Sequence, residues 1–146
     1  MGKKKSNKRA VSFSKSLEKK VVKKHKYNAI QVDCDGYKFA SKLEYSRYLW
    51  LKEWLRNGKI LNLEVHPRYD LHTINDTKVC VYEADFRYSV QGEPSKAVVE
   101  DVKGFRTDIF KLKKKWIKLE HGIEVREVTA DLIHIPPWLW SSLNPT

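Results

Sequence analysis

Asp101 and Lys103 stand two residues apart in the β-branched stretch 97–103 (AVVEDVK). On a strand, residues two apart leave the same face, so this acid and this amine project together, with Ala97 and Val99 beside them. Val98, Glu100 and Val102 take the other face. An aspartate beside an ammonium at the end of an apolar strand is a usable hydrolytic pair. The acid can hold a divalent cation, and the lysine can orient an attacking water and stabilise charge on a phosphorane-like transition state. A salt bridge at a strand end is the plain alternative for such a pair alone. Asp85 is the next acid, in YEADFRY, where Glu83, Asp85 and Arg87 alternate with Tyr82, Ala84, Phe86 and Tyr88. If its strand pairs with 97–103 as a hairpin, Asp85 and Asp101 become neighbours, and adjacent carboxylates repel unless they share a cation. All-oxygen ligands suit Mg²⁺ or Mn²⁺ rather than zinc. A third acid, Glu44, lies on a helical stripe with Tyr48, Leu51 and Leu55, which turns a carboxylate toward whatever that helix packs on. A buried charge needs a partner or a metal. Glu44 also completes a capping box with Ser41, and that alone could explain it.

These residues require elements to position them. An Asp35-Gly36 turn inside 32–39 predicts a small hairpin. Ser41 opens a helix that runs to Arg56 and stops at Asn57-Gly58. Residues 60–71 read as extended and bent near Pro67, 79–90 as a second strand and 97–103 as a third, probable turns falling at Asn75-Asp76 and at 91–95. Thr107 caps a second helix whose apolar stripe is expected at Ile109, Leu112, Trp116 and Leu119, with Lys111, Lys114, Lys115 and Lys118 on the other face. Gly122 ends it, and 123–128 alternates as a last strand. Helix, three strands, helix, strand is an α/β arrangement of the α+β kind: a mixed sheet flanked by helices.

The chain has 146 residues, of which 41% are hydrophobic, enough for one domain with a modest core. The basic start is followed by no apolar stretch, which excludes a secretory signal, and no run approaches the roughly 20 residues of a membrane span. Cys34 and Cys80 form no CxxC pair, which argues against a zinc site and fits reduced cytosolic thiols. The formal charge of +11 is concentrated: residues 1–26 hold eleven Lys/Arg and one acid, Glu18, while the remainder is nearly neutral. We therefore divide the chain into a flexible basic arm (1–26), a domain (27–129) and a tail carrying IPPWLW (130–146). A short basic helix could form near 17–24. Arm residues such as Lys3, Lys4, Lys5, Lys8 and Arg9 suit phosphate neutralisation by counterion release. A solubilising or targeting tail is the alternative.

Glu44 on a helix, then Asp85, then Asp101-Val102-Lys103 resembles the PD-(D/E)xK nuclease superfamily motif by motif. More narrowly, FASKLEYSRYLWLK, ILNLEVHP, YEADFRY and VVEDVKGFRTDIFKLKKK, within roughly 26–128, resemble small phage-encoded proteins of that superfamily. The resemblance implies a restriction-endonuclease-like αβββαβ core, divalent-metal phosphodiester hydrolysis and DNA as substrate, in a phage protein acting in the host cytoplasm. It implies that Glu44, Asp85 and Asp101 are metal ligands, with the backbone carbonyl of Val102 as a further one and Lys103 as the catalytic lysine. Ala84 stands where a proline is usual, and His66-Pro67 where glutamine is more frequent, so His66 is expected to have no role. The arm and the tail lie outside the resemblance.

The expected function is a Mg²⁺- or Mn²⁺-dependent DNA endonuclease, with branched or junction DNA of recombination or replication among the substrates and a homodimer among the states. Thr107, Lys111, Lys114 and Lys115 extend the DNA track from the helix N-terminus along its lysine face, if that face is not simply solvated. The alternative is a non-catalytic DNA-binding protein that uses the arm on a nuclease-like fold. Carboxylates clustered at a DNA surface favour the enzyme, because they repel phosphate unless a cation reverses the sign. Trp138 and Trp140 could stack on bases, join a dimer or cover the core.

Overall fold

The structure, a computed structural model, describes residues 30–140. The basic arm, with Lys3, Lys4, Lys5, Lys8 and Arg9, and the segment 17–24 lie outside the described residues.

The turn at Asp35-Gly36 forms as the sequence predicts. Both residues have positive φ, 53° and 81°, the backbone a tight two-residue hairpin needs between β1 (Val32–Cys34) and β2 (Tyr37–Phe39). Helix α1 (Lys42–Arg56) starts at Ser41, whose Oγ accepts from the Glu44 N–H at 3.1 Å. It ends where Gly58, at φ 67°, lets the Lys59 N–H reach the Trp54 carbonyl and the Gly58 N–H reach the Leu55 carbonyl.

The segments 60–71 and 79–90 each divide. The first becomes β3 (Ile60–Val65) and β4 (Arg68–His72), the second β5 (Lys78–Glu83) and β6 (Phe86–Val90). Yet the register is the same on both sides of the break, since Val65 opposes Phe86 and Arg68 opposes Glu83. The four strands are one long hairpin with a bend at its middle. Pro67 has no N–H to give to a ladder, and His66 adopts φ 56°, so the pairing bends there. Hydrogen bonds from the His66 N–H to the Asp85 carbonyl (2.9 Å) and from the Ala84 N–H to the Pro67 carbonyl (3.0 Å) carry the hairpin across.

The central sheet runs β3-β6-β7-β8, with β7 (Glu93–Val102) antiparallel to β6 and parallel to β8 (Val125–Val128). Helix α2 (Asp108–His121) makes the crossover between β7 and β8. Setting aside the bent end β4–β5, the order α1, β3, β6, β7, α2, β8 is αβββαβ. This is the α+β fold with a mixed sheet expected from the sequence.

One face of the sheet packs Ile60, Phe86, Tyr88, Val102 and Val128 against Phe39 and against Tyr48, Leu51 and Trp54 of α1. The other packs Leu71, Tyr82, Ala84, Val99 and Val125 against Phe110 and Ile117 of α2. Tyr82 and Ala84 thus belong to the α2 side, Phe86 and Tyr88 to the α1 side. Residues of one parity change faces because the bend lies between them.

The apolar stripe of α2 is not where the sequence places it. Phe110 and Ile117 are buried, while Ile109, Leu112 and Leu119 face outward and only Trp116 of the expected stripe is half-buried. Lys113 joins the docking face by carrying its amine to the Val81 carbonyl at 2.9 Å. The aliphatic stem of a lysine can lie along apolar surface with its charge at the edge, so a pattern that scores lysine as purely polar loses the true face. On α1 the stripe ends on buried Trp54, and Leu55 is exposed. The tail also packs. Leu132, Ile133 and Trp140 lie against the α1-side core, and Trp138, in the 3-10 turn Pro137–Leu139, meets the edge of Trp54.

Candidate active site

The bend in the hairpin separates Asp85 from its strand neighbours. Glu83 and Arg87 point to solvent and make exposed cross-strand pairs with Arg68 and Glu64, each at 3.6 Å. Asp85 lies between β5 and β6 and turns inward against β7. Its N–H donates to the Glu100 carbonyl at 3.1 Å, and its Oδ2 accepts from the Val102 N–H at 2.6 Å. These two hydrogen bonds bracket Asp101 and set Asp85 beside it, within reach of its charge. The two acids that the sequence could join only through an assumed pairing are brought together.

Asp101 is 1% exposed. Its Oδ2 accepts from the Tyr82 hydroxyl at 2.5 Å, and its Oδ1 is ion-paired with the Lys103 ammonium without hydrogen-bond geometry. Lys103 also sits over the Phe110 ring, 4.6 Å from its centre, and reaches the surface at 26% exposure. The pair therefore projects from one face as its spacing requires, with the acid sealed and the amine at the mouth.

Burial pushes the Asp85 carboxyl well above the usual aspartate range. The negative charges of Asp101 and Glu44 push the same way, against Lys103 and the Val102 N–H. Burial, and then the charge of Asp101, likewise raise the Tyr82 phenol, so it stays a hydrogen-bond donor.

Glu44 lies near this pair and is engaged elsewhere. Its Oε2 accepts from the Ala40 N–H and its Oε1 is 2.8 Å from Nε2 of His66. This is the capping arrangement moved one residue back, since the main-chain donor is Ala40 rather than Ser41. His66 stands at the bend with its ring against Tyr37 and Phe39. The sequence reading gave His66 no part in the site, and the structure places it on Glu44.

Glu100, the chain neighbour of Asp101, faces α1. Both its oxygens are taken by Arg47, at 2.9 and 2.7 Å, Tyr88 donates to it at 2.5 Å, and both members of the ion pair are fully buried. Arg47 also donates to the Ile133 and Ile135 carbonyls at 2.9 and 2.8 Å. One guanidinium thus ties α1, β7 and the tail together behind the site. Nothing in the sequence marked this. The signal available was an arginine one helical turn after Glu44, on the buried side of α1.

Among the described residues no three His, Cys, Asp or Glu side chains form a group that could hold a metal ion. Asp85 and Asp101 do fit one as a pair. They are hard oxygen donors held against each other's charge, and Asp101 Oδ1 is a buried oxygen held by its ion pair with Lys103. Mg²⁺ is commonly held by one or two carboxylates and keeps several waters. Glu44 would have to leave His66 to join them. The Val102 main chain is engaged through its N–H by Asp85.

Thr107 caps α2, its Oγ1 accepting from the Phe110 N–H at 3.1 Å. Lys114 and Arg106 both pair with Glu127, Lys114 at 2.5 Å, and Lys111 pairs with Asp108 at 3.2 Å. Lys115 is exposed. Among the described residues no helix is long and apolar enough to cross a membrane. No curated protein and no solved structure matches the chain. Residues 24–133, which carry the bent hairpin, both helices and all four of Glu44, Asp85, Asp101 and Lys103, match one family, described as a protein of unknown function (DUF1064), and the chain belongs to it.

Proposed function

We propose that the protein is a divalent-metal-dependent DNA endonuclease of the PD-(D/E)xK type. The observation that carries this is the juxtaposition of Asp85, at the hairpin bend, with Asp101 on β7, Lys103 being paired to Asp101. Two carboxylates forced together at a buried strand end destabilise a fold unless something offsets their repulsion. A fold that builds a hairpin bend to keep them together has a use for that charge.

In this reading Asp85 and Asp101 hold Mg²⁺ or Mn²⁺, with Glu44 recruited from His66. The cation supplies charge neutralisation at the scissile phosphate and acidifies a bound water. Lys103, at the mouth of the site, orients the attacking water and neutralises charge on the phosphoryl oxygens. Tyr82 holds Asp101 through Oδ2, leaving Oδ1 on the Lys103 ammonium. Thr107, Lys111, Lys114 and Lys115 on α2, together with Lys3, Lys4, Lys5, Lys8 and Arg9 of the arm, supply phosphate contacts along the strand. The setting is the cytoplasm of a phage-infected cell.

The test is a cleavage assay with purified full-length protein on duplex, single-stranded and four-way-junction DNA, in EDTA, Mg²⁺ or Mn²⁺, beside Asp101→Asn. Cutting that requires the cation and is lost in Asp101→Asn, with DNA binding retained, supports the reading. Binding to every substrate without cutting in any metal replaces it with a basic-armed DNA-binding protein.

A further inference from the structure

The loop that follows Lys103 carries a large apolar side chain into solvent. Phe105 is 81% exposed, although it lies two residues from Lys103 at the mouth of the site and five from buried Phe110. Ile109 and Leu112, on the first turns of α2, are 68% and 60% exposed. A single exposed apolar residue is ordinary, whereas three in eight positions next to a site call for a partner.

The surrounding charge identifies that partner. Residues 103–118 contain seven Lys/Arg and one acid, Asp108. Lys103, Arg106, Lys111, Lys114 and Lys118 are shared among only four acids, Asp101, Asp108, Glu124 and Glu127, and Lys115 is exposed, so the cations outnumber the acids around them. An apolar protein surface has no reason to prefer such a setting, and a nucleic acid strand does, because it offers phosphates to the cations and flat bases to the ring. Reach narrows the site further. Two residues span at most about 7 Å, and successive nucleotides rise about 3.4 Å along a strand. If Lys103 attends the scissile phosphate, Phe105, with the reach of both side chains added, meets a nucleotide within a few positions of it. Gly104 between them has open space around its Cα, so nothing obstructs the ring's approach.

We propose that Phe105 is a base-stacking residue that selects DNA with an unpaired or unstacked nucleotide near the cleavage position. The proposal rests on the nuclease reading for the place of Lys103 and extends it to a substrate class. Inside an intact duplex every base face is already covered, so the ring finds no partner without unstacking a step. At a flap, a bulge or a branch point a free face is present. Ile109 and Leu112 then line the path of the displaced nucleotide, and exposed Lys115 takes a flanking phosphate.

The test uses the full-length protein in EDTA, so that binding is read apart from cleavage. Fluorescence anisotropy compares a perfect duplex with the same duplex carrying a three-nucleotide bulge, for wild type, Phe105→Ala, Phe105→Leu and Phe105→Trp. A 2-aminopurine placed in the bulge reports stacking directly. The expected result is tighter binding to the bulge, a loss of roughly 5- to 150-fold on it in Phe105→Ala, and little change on the duplex. Phe105→Trp retains the preference, Phe105→Leu does not, and only the aromatic variants quench 2-aminopurine. Equal losses on both DNAs, or equal behaviour of Leu and Trp, overturn the proposal. So does a protein dimer that Phe105→Ala dissolves while DNA binding is unchanged, which assigns the patch to a second copy. If the bulge preference and quenching stand but no metal supports cleavage, stacking survives and the nuclease reading fails.

Discussion

Asp85→Asn should stabilise the metal-free protein while abolishing its activity. Cross-strand neighbours in an antiparallel sheet have Cβ atoms about 5 Å apart. Two carboxylate charges at that separation repel by about 3 kcal/mol at an effective dielectric of roughly 20. Lys103 and the Val102 N–H offset part of this, and the asparagine oxygen can still accept from Val102. A net gain of about 1–2 kcal/mol is expected, which raises Tm by about 3–8 °C for a domain of this size. The sign of the pH dependence follows from the raised Asp85 pKa. Protonation is favoured in the fold, so the stability tied to it is complete below the ordinary aspartate range, about 3.9, and is lost as pH rises through the higher folded value. The advantage of Asp85→Asn should therefore be absent in acid and grow toward neutral pH. Thermal melts in EDTA from pH 3 to 8 measure this, repeated with millimolar Mg²⁺ or Mn²⁺. Cation at 100 times its Kd would add about 2.7 kcal/mol to the wild type and much less to the variant. A lower Tm for Asp85→Asn in EDTA, or an equal response of both proteins to cation, would refute the reasoning.

Three further outcomes follow from the packing. Arg47→Met strands the buried Glu100 carboxylate and should cost about 3–5 kcal/mol in urea melts, of which Arg47→Met/Glu100→Gln recovers more than half. Ile117→Ala should cost about 2–5 kcal/mol, whereas Leu119→Ala, on the outward face of α2, should fall within about 0.5 kcal/mol of wild type. Gly122→Ala places a Cβ on a residue at φ 65° and should lower stability by about 1 kcal/mol in the same melts.

What the sequence discloses is what depends on nearby residues. Ser41 and Thr107 cap the helices at the positions their side chains predict, and Asn57-Gly58 and Gly122 end them, because a cap is made within four residues. The period of two in 97–103 placed Asp101 and Lys103 on one face by the same logic. The bend at His66-Pro67 was half legible, since proline announced it on one arm of the hairpin while nothing at Ala84-Asp85 announced it on the other. Its consequence, that Asp85 turns inward while Glu83 and Arg87 stay out, arises from pairing across the hairpin. The Arg47–Glu100 pair joins residues far apart in the chain, and His66 meets Glu44 only after α1 docks on the bend. The face of α2 was misread for a different reason, since Ile109, Leu112 and Leu119 follow helical spacing as well as Phe110 and Ile117 do. Spacing alone cannot choose between two apolar stripes on one helix.

The most direct test of the hydrolytic centre is the single-turnover cleavage rate of Lys103→Met in Mg²⁺, measured with saturating protein on whichever DNA the wild type cuts best. The account predicts a loss of about 100-fold or more with DNA affinity unchanged, because the lysine acts on the reacting phosphate. Cleavage at the wild-type rate would contradict the account, leaving Asp101 and Lys103 as a structural ion pair at the end of a strand.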